Sequence, residues 1–115
     1  MPRLARIAPE LPAADLEKAL TYYEQKLGFQ VAMRMPQYAV VERDGIALHL
    51  FADGQEHSKL GVHIFTPDLE MLFAELRNNG AEIAQAIERK PWGNRDFRVS
   101  DDFGNTLKFT EELAE

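Results

Sequence analysis

Two histidines in this sequence each stand two residues before a phenylalanine, inside short apolar runs with the character of β-strands. The run IALHLF contains His49 and Phe51, and the run LGVHIF contains His63 and Phe65. Because alternate residues of a strand share a face, each imidazole is expected beside an aromatic ring. Imidazoles bind metals or exchange protons near neutral pH, whereas aromatic rings stack on flat ligands. The alternative is that both pairs are ordinary core residues.

Other kinds of catalytic motif are absent from the sequence. The chain has no G-x-S-x-G motif and no phosphate loop, and neither of its serines, Ser58 and Ser100, lies in such a motif. It has no cysteine, which excludes disulfides and thiolate nucleophiles. Asp101 and Asp102 would point to opposite faces of a strand, so we interpret them as turn residues rather than as an acid/base pair.

The composition is typical of one small globular domain. The chain has 115 residues, of which 45% are apolar, so a single domain over residues 1–115 is expected. The net charge of -6 argues against nucleic-acid binding and is compatible with a cationic small ligand. No apolar run approaches the roughly 20 residues of a membrane span, and the N-terminus lacks a signal peptide. We therefore expect a cytoplasmic protein that binds neither nucleic acid nor membranes.

Residues 3–52 predict the element order β-α-β-β-β. The first strand is expected over residues 3–11, interrupted by Pro9. Asp15 is a good helix N-cap, apolar residues recur behind it at helical spacing, and Gly28 ends the helix. Three strand-like runs follow, FQVAMRM, QYAVVER and IALHLF, with turn-forming residues between them.

The same order of elements recurs in residues 60–112, after a polar linker at residues 52–59. Asp-Leu-Glu opens both predicted helices, at residues 15–17 and 68–70. One unit of this size cannot bury both faces of its sheet. Two units must therefore pair, and each is expected to curl its sheet around a cleft with the helix outside.

The C-terminal stretch KPWGNRDFRVSDDFGNTLKF, residues 90–109, predicts a β-hairpin with a turn of Asp-Asp-Phe-Gly-Asn. With the Asp-Leu-Glu helix starts and Leu27-Gly28-Phe29, this stretch resembles the glyoxalase/bleomycin-resistance family, the vicinal-oxygen-chelate superfamily. Pro-Trp-Gly followed by Arg-Asp-Phe is similar to its bleomycin-resistance branch. The resemblance covers nearly the whole chain. It implies an α+β fold in which two βαβββ units form curled mixed sheets around a cleft.

Enzymes of this superfamily hold a divalent metal with His or Glu side chains from the first and last strands of each unit. The resemblance places those positions at Ala8, His49, Gly61 and Lys108 of this sequence. Only His49 has a side chain that ligates metals at neutral pH, and one imidazole cannot hold a divalent ion against water. We therefore expect no metal, no cofactor and no metal-dependent catalysis.

The same positions indicate which side chains line the cleft. Glu10 shares the parity of Ala8, and His63 and Phe65 share that of Gly61. Tyr38 and Trp92 are expected as aromatic residues at the rim. The expected ligand-binding residues are Glu10, Tyr38, His49, Phe51, His63, Phe65, Trp92 and Lys108. An alternative role for Lys108 is a structural ion pair with Glu10.

A cleft of this composition suits an amphipathic ligand, since aromatic faces stack on flat rings and carboxylates bind cations. The resemblance implies a metal-free homodimer that confers antibiotic resistance by sequestering a cationic aromatic molecule, such as a bleomycin-type glycopeptide, in a cleft at the subunit interface. Two alternatives stay open. One is a glyoxalase- or dioxygenase-like metal enzyme of the same superfamily, and the other is a protein of this fold that binds an unrelated small ligand.

Overall fold

The computed structural model of the protein describes residues 2–112. In that range two helices and eight strands follow the predicted order. None of the helices there is both long and apolar enough to cross a membrane. In chain order the elements are β1 (Glu10–Pro12), α1 (Leu16–Gln25), β2 (Gln30–Met35), β3 (Tyr38–Arg43), β4 (Ile46–Phe51), β5 (Gly61–Thr66), α2 (Leu69–Asn78), β6 (Glu82–Arg89), β7 (Arg95–Ser100) and β8 (Thr106–Glu111).

The strands form two four-stranded sheets with the same connectivity. The first sheet has the order β1-β4-β3-β2, and the second has the order β5-β8-β7-β6. In each sheet the first strand is parallel to the last, and the other neighbours are antiparallel. The expected α+β fold of two βαβββ units with mixed sheets is therefore confirmed. Among residues 2–112 no strand of one sheet is hydrogen-bonded to the other sheet, so the sheets stay open.

The first strand is shorter than the predicted range of residues 3–11, and this part of the prediction is wrong. Only Glu10–Pro12 pair with β4. The amide of His49 donates a hydrogen bond to the carbonyl of Pro9 (3.0 Å). Pro9 has no N–H with which to continue the ladder, so the strand ends there. Ala8, the position implied for a metal ligand, consequently lies outside the sheet.

Each helix begins directly after an aspartate and packs an apolar stripe on its own sheet. The side chain of Asp15 caps α1 by accepting a hydrogen bond from the amide of Lys18 (3.1 Å). Asp68 precedes α2 without such a bond, and its own amide donates to Thr66 Oγ1 (3.1 Å). The buried helix residues are Leu16, Ala19, Leu20, Tyr23, Leu69 and Leu76.

The hydrophobic core lies between the helices and the inner faces of the sheets, and it is continuous through both units. In the second unit Phe97 stacks on Phe109, and Phe73 of α2 meets Phe97 edge-on. The ring centroids of each pair are 5.1 Å apart. Burial of such apolar side chains makes the largest favourable contribution to the free energy of folding. The sheet faces that are turned away from the helices are not part of this core.

Polar contacts fix the two units against each other. Asp101 is buried in the turn between β7 and β8 and accepts a hydrogen bond from the hydroxyl of Tyr23 (2.8 Å). Arg43, at the end of β3, forms a bidentate ion pair with Glu75 of α2 (2.7 and 2.8 Å). The interpretation of Asp101 as a turn residue is confirmed, because its amide donates to the carbonyl of Asn105 across the turn (2.9 Å).

Candidate functional site

The candidate residues lie on the faces of the two sheets that are turned away from the helices, which we call the open faces. Along β4, Leu48 and Leu50 are buried in the core, whereas His49 and Phe51 alternate with them and are half-buried on the open face. Strand β5 alternates in the same way. The predicted sharing of a face by each His and its Phe is confirmed, and the alternative of ordinary core residues is wrong.

Three side chains on the open face of the first sheet form a short hydrogen-bonded chain. The hydroxyl of Tyr38 donates to Glu10 Oε2 (2.6 Å) and lies 2.6 Å from Nδ1 of His49. Because the phenol gives its single hydrogen to Glu10, Nδ1 of His49 must donate to the phenol oxygen. While the imidazole is neutral, its other nitrogen, Nε2, is then a hydrogen-bond acceptor.

The charge state of this cluster favours cation binding. The hydrogen bond to Glu10 raises the pKa of Tyr38, with burial as a smaller cause, so the phenol stays protonated at neutral pH. A neutral phenol orients the carboxylate without cancelling its charge. The carboxylate can therefore still attract a positively charged group, although Arg6 lines the same cavity.

A cavity of about 480 Å³ opens over the same cluster, and the linker after β4 covers one end of the open face. The ring of Phe51 meets that of His57 edge-on, with centroids 5.1 Å apart. Nε2 of His57 is hydrogen-bonded to Asp53 (2.8 Å), which holds the linker in this position. The cavity is lined by Ala5, Arg6, Ala8, Glu10, Tyr38 and His49.

Two methionines that the sequence analysis did not single out extend this face. The cross-strand register places Met35 opposite Tyr38, and Met33 opposite Val40, which is itself opposite His49. Met33 is 38% exposed and Met35 is 56% exposed. Exposed thioethers beside aromatic rings favour contact with flat ligands. The alternation of the run FQVAMRM was the signal that could have identified them.

On the open face of the second sheet, His63 and Phe65 lie side by side with ring centroids 4.3 Å apart. Nε2 of His63 lies 2.6 Å from Thr110 Oγ1. Partial burial lowers the pKa of His63, the positive charge of Lys108 lowers it further, and the carboxylate of Asp96 partly opposes this. The imidazole is therefore neutral at pH 7.

Lys108 lies between Trp92 and the buried side chain of Asp96. Its Nζ is 6.0 Å from the ring centroid of Trp92 and 3.9 Å from Asp96 Oδ2. The alternative of an ion pair between Lys108 and Glu10 is wrong, because Glu10 is bonded to Tyr38 on the other sheet and the acid that faces Lys108 is Asp96. Asp96 was not among the residues predicted from the sequence to line the cleft.

The structure divides the expected ligand-binding residues into two half-sites. In residues 2–112 no hydrogen bond, ion pair or ring contact joins one half-site to the other, so a single chain does not form one closed cleft. The first half-site holds Glu10, Tyr38, His49 and Phe51, and the second holds His63, Phe65, Trp92 and Lys108.

A larger cavity, of about 860 Å³, lies between the two units and includes only one of the expected residues, Phe65. Two of its charged side chains, Arg43 and Glu75, are paired with each other, and two further carboxylates, Asp44 and Asp68, also line it. The cavity therefore offers mainly apolar surface together with acidic groups. The open faces carry the other expected residues and are therefore the better candidates.

The positions implied for metal ligands do not fit a metal ion. Ala8 and Gly61 have no donor side chain, and Lys108 presents an ammonium group. His49, the remaining candidate, uses Nδ1 in its hydrogen bond to Tyr38. Within the described part of the chain no three His, Asp or Glu side chains converge closely enough to hold a metal ion.

Several solved structures resemble this chain over nearly its whole length. A bleomycin resistance determinant encoded on transposon Tn5 is 22% identical, with coverage of 96% of this chain and 100% of that one, and a TM-score of 0.86. A bleomycin-binding protein complexed with bleomycin is also 22% identical, with the same coverage and a TM-score of 0.85. TioX from Micromonospora sp. ML1 is 24% identical over 95% of this chain and 99% of that one, with a TM-score of 0.84. At these identities the matches establish the fold.

A comparison with curated protein sequences finds no significant match. The family model described as "Glyoxalase/Bleomycin resistance protein/Dioxygenase superfamily" matches residues 3–109. That match covers most of the chain and agrees with its two βαβββ units, so the chain belongs to the glyoxalase/bleomycin resistance protein/dioxygenase superfamily.

Proposed function

We propose that the protein is a metal-free binding protein that sequesters a small cationic, aromatic molecule in a cleft between two copies of the chain. The observation that carries the proposal is the first half-site. There the carboxylate of Glu10 lies among aromatic rings and exposed methionines on an open sheet face. A carboxylate attracts a cation, and the neighbouring rings stack on flat groups of the same ligand.

The separation of the half-sites supports a second copy as the other wall of the cleft. Strands β1 and β5 are edge strands of their sheets. Leu4 and Ile7, just before β1, are 100% and 94% exposed. Open edges and exposed apolar side chains favour association. In a symmetric dimer the first sheet of one copy can face the second sheet of the other, which creates two equivalent clefts.

Binding without a metal is supported by the side chains at the superfamily's ligand positions. Metal-dependent reactions need several ligands that converge on one ion, and Ala8, Gly61 and Lys108 supply none. Tyr38 is held in its protonated form, and its hydroxyl is engaged by Glu10 and His49. The side chains suit recognition better than chemistry.

A bleomycin-type glycopeptide is the first ligand to test. Two similar structures are a bleomycin resistance determinant and a bleomycin-binding protein complexed with bleomycin. Sequestration of an antibiotic of this class would confer resistance without any chemical step. An unrelated cationic aromatic molecule would bind through the same groups.

Fluorescence of Trp92 tests the proposal, because Trp92 is the only tryptophan and is 68% exposed beside Lys108. Titration with metal-free bleomycin should quench or shift the emission, and the affinity should fall as salt rises because the net charge is -6. Glu10→Gln should weaken binding about tenfold, as expected for loss of a charge-assisted contact. Glu24→Gln, the same charge change on exposed α1 surface, should leave it unchanged.

Emission that ignores every cationic glycopeptide but responds to small carboxylates would contradict this function. The protein would then be a binder of an unrelated ligand, with Lys108 rather than Glu10 as the charged anchor.

A further inference from the structure

Two cations and a histidine lie in one row across the open face of the second sheet. The cross-strand register places His63 opposite Lys108, and Lys108 opposite Arg98. Gln85 continues the row beside Arg98. Side chains directly opposed on neighbouring strands have Cβ atoms about 5 Å apart, and like charges in such pairs repel. The fold thus holds Lys108 and Arg98 against each other.

The acidic side chains on this face do not neutralise the positive charge of the row. Oδ2 of Asp96 lies 3.9 Å from Nζ of Lys108, and Oδ1 lies 3.8 Å from Nζ of Lys90. Lys90 has a second acid in Glu88, at 2.7 Å. One buried carboxylate is therefore shared between two lysines, and no acid is paired with Arg98 in the described part of the chain.

Arg98 and Lys108 retain free hydrogen-bonding capacity. Over residues 2–112 the guanidinium of Arg98 makes no hydrogen bond or ion pair, and its Nε is buried without a partner. Nζ of Lys108 likewise donates no hydrogen bond in that range, although its side chain is only 24% exposed. The buried, unpaired Nε of Arg98 is unfavourable, whereas Nζ of Lys108 lacks a hydrogen bond but is not fully buried. An anionic oxygen from outside the chain would accept hydrogen bonds from Nζ of Lys108 and from the terminal nitrogens of Arg98.

The electrostatic field at His63 agrees with an excess of positive charge on this face. Beside partial burial, Lys108 and Arg98 both lower the pKa of His63, and among residues 2–112 Asp96 opposes them. The second half-site is therefore positive, although the whole chain carries a net charge of -6. A positive patch of this kind attracts anions rather than cations.

Two exposed aromatic rings lie near the row. Trp92 is 68% exposed, with its ring centroid 6.0 Å from Nζ of Lys108. Phe65 is 50% exposed, beside the ring of His63. An anionic group attached to a flat ring would place its charge on the two cations and its ring against these aromatic faces.

We propose that this row is a carboxylate subsite, in which Lys108 and Arg98 bind the carboxylate of an aromatic ligand and Trp92 contacts its ring. The inference rests on the proposed function and deepens it. The corresponding row of the first sheet begins with Glu10 and carries no lysine or arginine. The two walls together suit a ligand with a positive charge at one end and a carboxylate at the other.

Isothermal titration calorimetry at low salt with 1-naphthoate, 1-naphthylmethanol and 1-naphthylmethylammonium tests the subsite. 1-Naphthoate should bind about tenfold more tightly than the uncharged alcohol, because charge-assisted hydrogen bonds add to the ring contact. Arg98→Gln should remove most of this difference, and Arg98→Lys should retain part of it. Arg77→Gln, the same charge change on α2, should leave the affinity unchanged.

Thermal unfolding without ligand separates a binding role of Arg98 from a structural one. Arg98→Gln relieves the repulsion with Lys108, so its Tm should equal or exceed that of the wild type. A Tm that falls further than that of Arg77→Gln would show that Arg98 is structural and would overturn the subsite. Equal affinity for 1-naphthoate and the alcohol, or affinity for 1-naphthoate that Arg98→Gln does not change, would overturn it too.

Binding of 1-naphthylmethylammonium distinguishes a failure of the carboxylate subsite from a failure of the proposed function. Binding of 1-naphthylmethylammonium that Glu10→Gln weakens supports the cationic half of the proposed ligand. If only that binding fails, the proposed function is wrong and the carboxylate subsite belongs to an unrelated anionic ligand. If only 1-naphthoate fails, the subsite is wrong and the proposed function is unaffected.

Discussion

Single side chains on the two open faces act as fixed donors, acceptors and charges. Tyr38 keeps its proton, because its hydrogen bond to Glu10 raises its pKa. His63 is neutral at pH 7, because burial and the charge of Lys108 lower its pKa. The hydroxyl beside His63, Thr110 Oγ1 at 2.6 Å, belongs to a buried residue. At this scale the side chains fit recognition of a ligand.

His63 should make the stability of the protein depend on pH. Its pKa is lowered in the folded state, so the unfolded chain, with an ordinary value of about 6.5, binds the proton more readily. The stabilising contribution is present above that ordinary value and is lost as the pH falls through the lowered one. The Tm should therefore fall as the pH is lowered from about 7.5 through the lowered pKa of His63, and His63→Gln should flatten the profile. The same dependence of Tm on pH in the wild type and in His63→Gln would contradict this role of His63.

The sequence could predict most of the site at the residue scale but not all of it. Strand parity identified the open-face residues, because it depends only on local spacing. Arg98 and Asp96 were not predicted, because parity needs one reference residue of known facing on a strand. None of the residues expected to line the cleft lies on β7. The turn Asp101–Asn105 supplies that reference, because it pairs Ser100 with Thr106 and thereby places Arg98 opposite Lys108.

At the scale of elements, the β7–β8 turn both closes a hairpin and anchors one unit on the other. Asp101 accepts hydrogen bonds from the amides of Phe103 (2.9 Å) and Asn105 (2.8 Å) and from the hydroxyl of Tyr23 (2.8 Å). Nδ2 of Asn105 donates to the carbonyl of Pro12 at the end of β1 (2.9 Å). The motif that carries the family resemblance thus also positions the two half-sites.

Asp101→Ala should destabilise the protein by about 3 kcal/mol, because several buried donors lose their acceptor together. Tyr23→Phe removes only one of these hydrogen bonds and should cost about 1 kcal/mol. Urea unfolding followed by circular dichroism measures both changes. Asp102→Ala is the control: burial raises the pKa of Asp102, and one of its oxygens is buried without a partner, so its loss should cost little. Equal losses at Asp101 and Asp102 would contradict this role for the turn.

The order of elements was predictable because helical and strand periods, N-caps and turn residues act over a few positions. The length of β1 was not. In this parallel pair only alternate residues donate to β4, and Pro9 stands at a donating position without an N–H, whereas Pro12 stands at a position that need not donate. Apolar Leu4 and Ile7 fit a strand pattern but remain exposed in the single chain.

For the whole molecule, the question is how two half-sites become one binding cleft. Parity assigns residues to faces but says nothing of which faces oppose each other, since that depends on contacts between distant parts of the chain. In the single chain the two sheets are placed by the Tyr23–Asp101 and Arg43–Glu75 contacts, and the linker after β4 covers only one end of their open faces. We expect a second copy of the chain to cover these open faces.

Light scattering at micromolar concentration should give a mass of twice the 13.1 kDa of one chain. Exposed apolar side chains near an edge strand favour association. Ile7→Asp should therefore shift the protein toward monomer, while Glu24→Gln should not. The mass of one chain for the wild-type protein would refute the interface cleft.

The central claim is that the protein binds a cationic aromatic molecule without a metal, and calorimetric titration of metal-free bleomycin with and without EDTA tests it most directly. We expect saturable binding of one molecule per chain, unchanged by EDTA and weakened about tenfold by Glu10→Gln. Glu24→Gln should bind as the wild type does. The account is contradicted if no cationic aromatic ligand binds, or if EDTA abolishes binding and an added divalent metal restores it.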